Sequence, residues 1–254
     1  MTTIPRSREA EAFLEARQCS APEIVSACEG WTAHEITAHL AAMMVEIRHH
    51  LEPYVRGDEV PETLTFEERE PPYRAMDDGD LVKLLSDEEH RMRATLDQVL
   101  SAEPGAVVRW TGRDMQVAKF VPHVRNEFAI HRWDFVGDDD IGRELLSQPD
   151  LTEHSVDVLG RILLERGAQR DPASGQEFQV GLRAEGSATI RLMVSADGAE
   201  LILEETDGEE PHVDLDAAAR LLVIWGRRPD QRGRFSSTLG EPGLRRLQAL
   251  LSGY

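Results

Sequence analysis

The chain has 254 residues, with 47 acidic against 28 basic side chains and a formal charge of -19 at neutral pH. That surplus repels nucleic acid and anionic membrane surfaces, and it makes any anionic substrate depend on local arginines. The length allows a sizeable core and one or two domains, while two cysteines, Cys19 and Cys28, exclude a disulfide framework and a four-cysteine zinc site but leave a single bridge open. The N-terminus has no apolar signal region and no long uncharged apolar stretch follows, so a cytoplasmic protein is expected.

Taken in order, the pattern is helical from about residue 7 to about 150. Ser7 to Arg17 is rich in good helix formers. Thr32-Ala-His-Glu35 fits a capping box and opens a second helix that carries His39, runs to about Val55 and ends at Gly57. Gly57 to Pro72 reads as an acidic, proline-rich loop, and Asp80 to Leu100 as a third helix. Val107 to Arg113 is extended and turn-rich. Ala118 to Val136 forms the fourth long helix, with Pro122 in its first turn, where a missing N–H costs little, and Gly137 at its end. A fifth periodic segment, Thr152 to Glu165, stops at Gly167.

After Asp171-Pro-Ala-Ser-Gly175 the period changes. Glu177 to Arg183, Ala188 to Val194 and Ala199 to Glu205 alternate apolar and polar residues as half-buried strands do, with turns at Asp197-Gly198 and Asp207-Gly208. Asp216 to Trp225 and Glu241 to Leu251 read as helices. The fold expected is α+β, with a helical domain over residues 1–153 and a small sheet-and-helix domain over 154–254.

Chemistry concentrates in Phe120 to Asp134. Glu127 and His131 stand four apart, so on a helix a carboxylate oxygen and an imidazole nitrogen leave one face together. The same spacing also fits a carboxylate–histidine pair on a helix surface. His123 lies on that face and reads as a ligand, a base, a substrate contact or a buried hydrogen-bonded histidine. A further ligand must come from elsewhere, and His39 is the candidate if the two helices pack together. His34 and His39 are five apart and diverge by about 140°, which excludes the His-Glu-x-x-His metalloprotease arrangement. Asp134 is suited to fix the tautomer of His131 or to pair with Arg125 or Arg132, and Glu46 falls near the face of His39. His49 and His50 read as complements to a helix dipole. Cys28 reads as a buried small hydrophobe. Arg227 and Arg228, in a loop after an apolar helix, suit bidentate binding of a carboxylate or simply a helix C-terminus. Glycine-rich phosphate loops and nucleophile elbows are lacking.

The chain resembles the mycothiol-dependent maleylpyruvate isomerase family, whose N-terminal domain is a DinB-like four-helix bundle. The resemblance is carried by Gly30-Trp31-Thr32, Ala38-His39-Leu40, Trp110-Thr111-Gly112-Arg113, Arg125-Asn126-Glu127 and Ile130 to Asp134, and more loosely by Leu222 to Pro229, which is similar to a sterol-carrier-like second domain. It implies a divalent metal, usually zinc, held by His39, Glu127 and His131, and mycothiol as the thiol cofactor or cosubstrate. The implied activity is cis–trans isomerisation or thiol S-transfer on an electrophilic small molecule, with Arg227 or Arg228 at the substrate. The competing class is a metal-containing binding protein in which a fourth protein ligand, such as His123, closes the shell and the second domain carries an apolar ligand or protein partner.

Overall fold

The computed structural model describes residues 5–28, 30–171, 173, 176–205, 208, 210–229 and 234–252. The chain divides into two compact units, residues 1–137 and 138–254. The fold is α+β, with a helical first unit and a sheet-rich second. The division falls at Gly137 instead of position 153 because α7 (Asp140–Leu146), a helix not foreseen from the sequence, packs on α10 (Ala217–Ile224) of the second unit.

Four long helices form the first unit: α1 (Arg8–Gln18), α2 (Ala33–Arg56), α5 (Asp78–Ala102) and α6 (Phe120–Val136). Thr32 accepts a hydrogen bond from Glu35 N while the Glu35 carboxylate accepts from Thr32 N, the reciprocal cap that fixes where α2 starts. Gly57 closes α2 with φ +73°, a conformation in which a side chain would be strained. Leu40, Met44, Ile47 and Leu51 of α2 and Leu81, Leu85, Met92 and Leu96 of α5 recur at helical spacing and belong to one buried core. α1 packs on α6, with the Phe13 and Phe128 rings 5.4 Å apart edge to face.

The connection after Gly57 is more ordered than the sequence suggests. It contains two single-turn helices, α3 (Phe66–Arg69) and α4 (Pro71–Arg74), the first opened by a Thr65/Glu68 capping box and the second by prolines in its first turn. Strands β1 (Val107–Trp110) and β2 (Arg113–Gln116) form an antiparallel hairpin ahead of α6.

In the second unit, α8 (Pro149–His154) leads through a π-helical segment, Ser155–Gly160, into α9 (Arg161–Arg170). The single helix expected over Thr152 to Glu165 is thus interrupted, and it does not stop at Gly167. Gly167 lies inside α9 because α11 (Glu241–Leu251) crosses so closely that a Cβ would collide with the Leu250 backbone. Among the described residues the sheet has five strands, β3 (Phe178–Arg183), β4 (Thr189–Ser195), β5 (Gly198–Glu204), β6 (His212–Leu215) and β7 (Phe235–Ser237), in the order β5-β4-β3-β6-β7. The β3–β6 pair is parallel and the other pairs are antiparallel. Val180 lies opposite Leu192, which lies opposite Leu201, and all three are fully buried, as strict alternation predicts. The Asp197-Gly198 turn joins β4 to β5, whereas Asp207 of the other expected turn lies outside the described residues. β6 and β7 are short strands that the sequence pattern did not reveal. No described helix is long and apolar enough to cross a membrane.

Candidate metal centre

The packing of the first unit brings His39 of α2 to Glu127 and His131 of α6. The Glu127 carboxylate is the midpoint: Oε2 lies 3.5 Å from His39 Nε2 and 3.3 Å from His131 Nε2. The two imidazole rings are 5.1 Å apart at 71°. All three side chains are buried, and one ligand atom from each lies within 4.8 Å of the others.

Each imidazole is aimed by a carboxylate behind it. His39 Nδ1 is 2.7 Å from Glu70 Oε1, and His131 Nδ1 is 2.8 Å from Asp134 Oδ2. With Nδ1–H donated to the carboxylate behind it, each ring presents Nε2 on the Glu127 side, the atom that could meet a cation once its proton is given up. This is the arrangement in which carboxylate–imidazole pairs hold a metal ligand in the right tautomer. Two nitrogens and one hard oxygen, the three-residue group found among the described residues, suit a zinc-like divalent cation.

The electrostatics identify the proton that a cation at this site would displace. Burial by itself would raise the Glu127 pKa, but hydrogen bonds with His131 and His39 and the nearby His123 hold it well below the ordinary carboxylate range. Burial by itself would lower the His131 pKa, and hydrogen bonds with Asp134, Cys28 and Glu127 outweigh it, leaving the group well above its ordinary value. A carboxylate kept charged between two imidazoles in a dry setting is a strong attractor for a cation.

Glu70 is the functional residue missed in the sequence. It sits at the junction of α3 and α4 in the segment read as loop, is 2% exposed, and accepts from Arg74 Nη2 at 2.7 Å and Nε at 3.1 Å. Arg74 also reaches Glu35 at 3.2 Å and covers the Trp31 ring at 5.0 Å. The Thr65-x-x-Glu68 and Pro71-Pro72 signals could have located these turns. Trp31 and Phe66 wall the site, with ring centroids 5.2 and 5.3 Å from that of His39.

Other expected residues are placed as follows. Asp134 takes the tautomer-fixing position. Glu46 does not orient a ligand; its Oε1 accepts from Leu64 N at 2.8 Å and pins the connection to α2. His50 is fully buried, with Nδ1 2.9 Å from Glu46 O and Nε2 3.2 Å from Thr63 Oγ1, so it is an interior hydrogen-bonding residue and not a helix-end charge. His34 turns away to Asp78, at 2.9 Å. His123 is buried beside Trp110 and Phe120, each ring 6.5 Å away, and burial pushes its pKa down despite the opposing pull of Glu127. Among the described residues it is outside the three-ligand group. Cys28 is partly exposed, not buried, and its Sγ lies 3.1 Å from Asp134 Oδ2; Cys19 and Cys28 are not joined by a disulfide. Arg227 and Arg228 belong to the second unit, where both line a cavity of about 60 Å³ with Pro229, Phe235 and Leu244. Arg227 is buried and donates to Trp225 O at 2.9 Å, while Arg228 is exposed.

Residues 6–135 match the family profile described as the mycothiol maleylpyruvate isomerase N-terminal domain. Two solved structures share the fold, the crystal structure of the mycothiol-dependent maleylpyruvate isomerase and that of a histidine-to-alanine mutant of it. They are 17% and 16% identical to this chain, each with a TM-score of 0.63, covering 92% of this chain and 90% of the other. Curated protein sequences gave no match. The family profile spans just over half of the chain and includes His39, Glu127 and His131, and the chain therefore belongs to the mycothiol maleylpyruvate isomerase N-terminal domain family.

Proposed function

We propose that this protein is a divalent-metal-dependent enzyme that uses a low-molecular-weight thiol, mycothiol, as cofactor or cosubstrate, in maleylpyruvate-type cis–trans isomerisation or S-transfer to an electrophile. One observation carries the reading: two buried imidazoles, each backed by a carboxylate, turn Nε2 towards a third buried carboxylate. A bound zinc-like cation would lower the pKa of a coordinated thiol and supply a thiolate at neutral pH. His39, Glu127 and His131 would hold it. Glu70 and Asp134 keep both imidazole protons on Nδ1, and Trp31 and Phe66 restrict water around the ligand atoms. His123, whose burial favours the neutral ring, can accept or donate a proton beside Glu127. We assign Arg227 and Arg228, two residues that line one cavity of the second unit, to a carboxylate of the substrate, a group that a guanidinium suits. The three-ligand set favours this reading over a closed structural site, because His123 stays outside the ligand group among the described residues.

The test is thiol-dependent turnover with mycothiol against a panel of electrophiles that includes maleylpyruvate, alongside ion content by mass spectrometry. The expected result is about one ion per chain, turnover that requires both ion and thiol, and loss of both in His131→Ala. Ion content unchanged by His131→Ala would refute the ligand set, and metal-loaded protein without turnover would refute the catalytic reading.

A further inference from the structure

The turn that precedes α2 touches His131 from two sides. Trp31 stacks over the imidazole, with centroids 6.3 Å apart and planes at 18°. Behind the ring, His131 Nδ1 lies 2.8 Å from Asp134 Oδ2, and the same oxygen lies 3.1 Å from Cys28 Sγ. The backbone around Cys28 is hydrogen-bonded on both sides. The Cys28 N–H donates to Ser26 Oγ at 3.1 Å, its carbonyl accepts from Trp31 N at 3.0 Å, and Ala27 N donates to the Asp134 carbonyl at 2.7 Å.

Glu70 uses one oxygen for His39 and the other for Arg74, a permanent cation. Asp134 receives His131 and Cys28 on one oxygen. A thiol is a weak donor, so its effect is directional: it holds Oδ2 on the line that keeps the His131 proton on Nδ1. We propose that Cys28 is a positioning residue for the metal site, acting on the His131 imidazole both through Asp134 and from its own place beside that ring. This rests on the ligand set proposed above. It assigns a role to a cysteine that contributes no ligand to that set.

The experiment measures zinc affinity by competition with a chromophoric chelator for the unaltered full-length chain, Cys28→Ala, Cys28→Ser and Cys19→Ala. Loss of an outer hydrogen-bond partner weakens metal binding by about 10- to 100-fold, and a thiol, being a weak donor, is expected at the low end, about 10-fold for Cys28→Ala. Cys28→Ser keeps a donor and is expected to recover most of that affinity. Cys19→Ala, which alters an exposed thiol, is expected to change nothing. Equal affinity for the unaltered chain and Cys28→Ala would overturn the proposal while leaving the ligand set intact, and equal weakening in the serine and alanine variants would overturn it in favour of packing. A thiolate-to-metal charge-transfer band in the cobalt-loaded chain that disappears in Cys28→Ser would overturn it by making Cys28 a ligand. No zinc bound by the unaltered chain would remove the ligand set and this proposal together.

Discussion

Glu70→Ala removes one carboxylate from the connection between α2 and α5 and leaves all three proposed ligands in place. In the unaltered protein Glu70 is 2% exposed and joins His39 Nδ1, at 2.7 Å, to Arg74, at 2.7 and 3.1 Å. Arg74 is about one-third exposed and retains Glu35 and the Trp31 face, so its loss is small. His39 bears the damage. Its ring is buried, its Nδ1 proton loses its acceptor, and the tautomer with the proton on Nε2 competes for the face that should meet the cation. Outer-partner losses of about 10- to 100-fold in metal affinity correspond to about 1.4–2.7 kcal/mol, and the burial of this pair puts Glu70→Ala towards the upper half. Glu70→Gln retains an oxygen acceptor without the charge and is expected to lose about 10-fold. The assay is zinc competition with a chromophoric chelator, with circular dichroism as the check on folding. A folded Glu70→Ala protein that binds zinc within about twofold of the unaltered chain would show that orientation at Nδ1 does not govern this site.

Two further predictions concern the second unit. Gly167→Ala should destabilise it although alanine is the better helix former: the propensity gain is about 1 kcal/mol, whereas forcing a Cβ into the Leu250 backbone costs about 1–3 kcal/mol, so a lowered denaturation midpoint is expected and a raised one would contradict the α9–α11 crossing. For Asp216, burial by itself would raise the pKa, but hydrogen bonds from Arg234 and from the Ala219 N–H at the start of α10 outweigh it and lower the folded value. The resulting stability is present above the unfolded pKa of about 3.9 and is lost as pH falls through the folded value. Asp216→Asn preserves an N-cap acceptor and removes the charge, so at this partly exposed site it should cost about 0.5–1 kcal/mol at neutral pH, with the difference closing below about pH 4; thermal melts across pH would show a constant offset if the ion pair were irrelevant.

What could be read in advance depended on how local its cause was. Thr32 and Glu35 set the start of α2 by bonding to each other, Gly57 ends it through a backbone angle, and the Val180, Leu192 and Leu201 strands announce themselves by alternation. The Glu127 and His131 pair follows from helical spacing alone, but its partnership with His39 needs the α2–α6 packing. Glu70 was hidden because its role depends on where a 21-residue connection folds back, and its own neighbourhood looks like any acidic loop. Gly167 was misread for a similar reason: as a local signal glycine ends helices, yet here it answers to a chain segment more than 80 residues later. Cys28 looked apolar because its partner, Asp134, is over 100 residues away.

The placement of Glu70 also bears on what constitutes a transferable unit. Grafting His39, Glu127 and His131 onto an idealised bundle with tight interhelical loops would reproduce every proposed ligand and still leave one imidazole without the acceptor that fixes its proton. The smallest fragment that carries the site intact includes the Trp31 turn, α2, the α3–α4 connection and α6, so shortening the connection in a designed relative should be more damaging than trimming the far ends of the helices it joins.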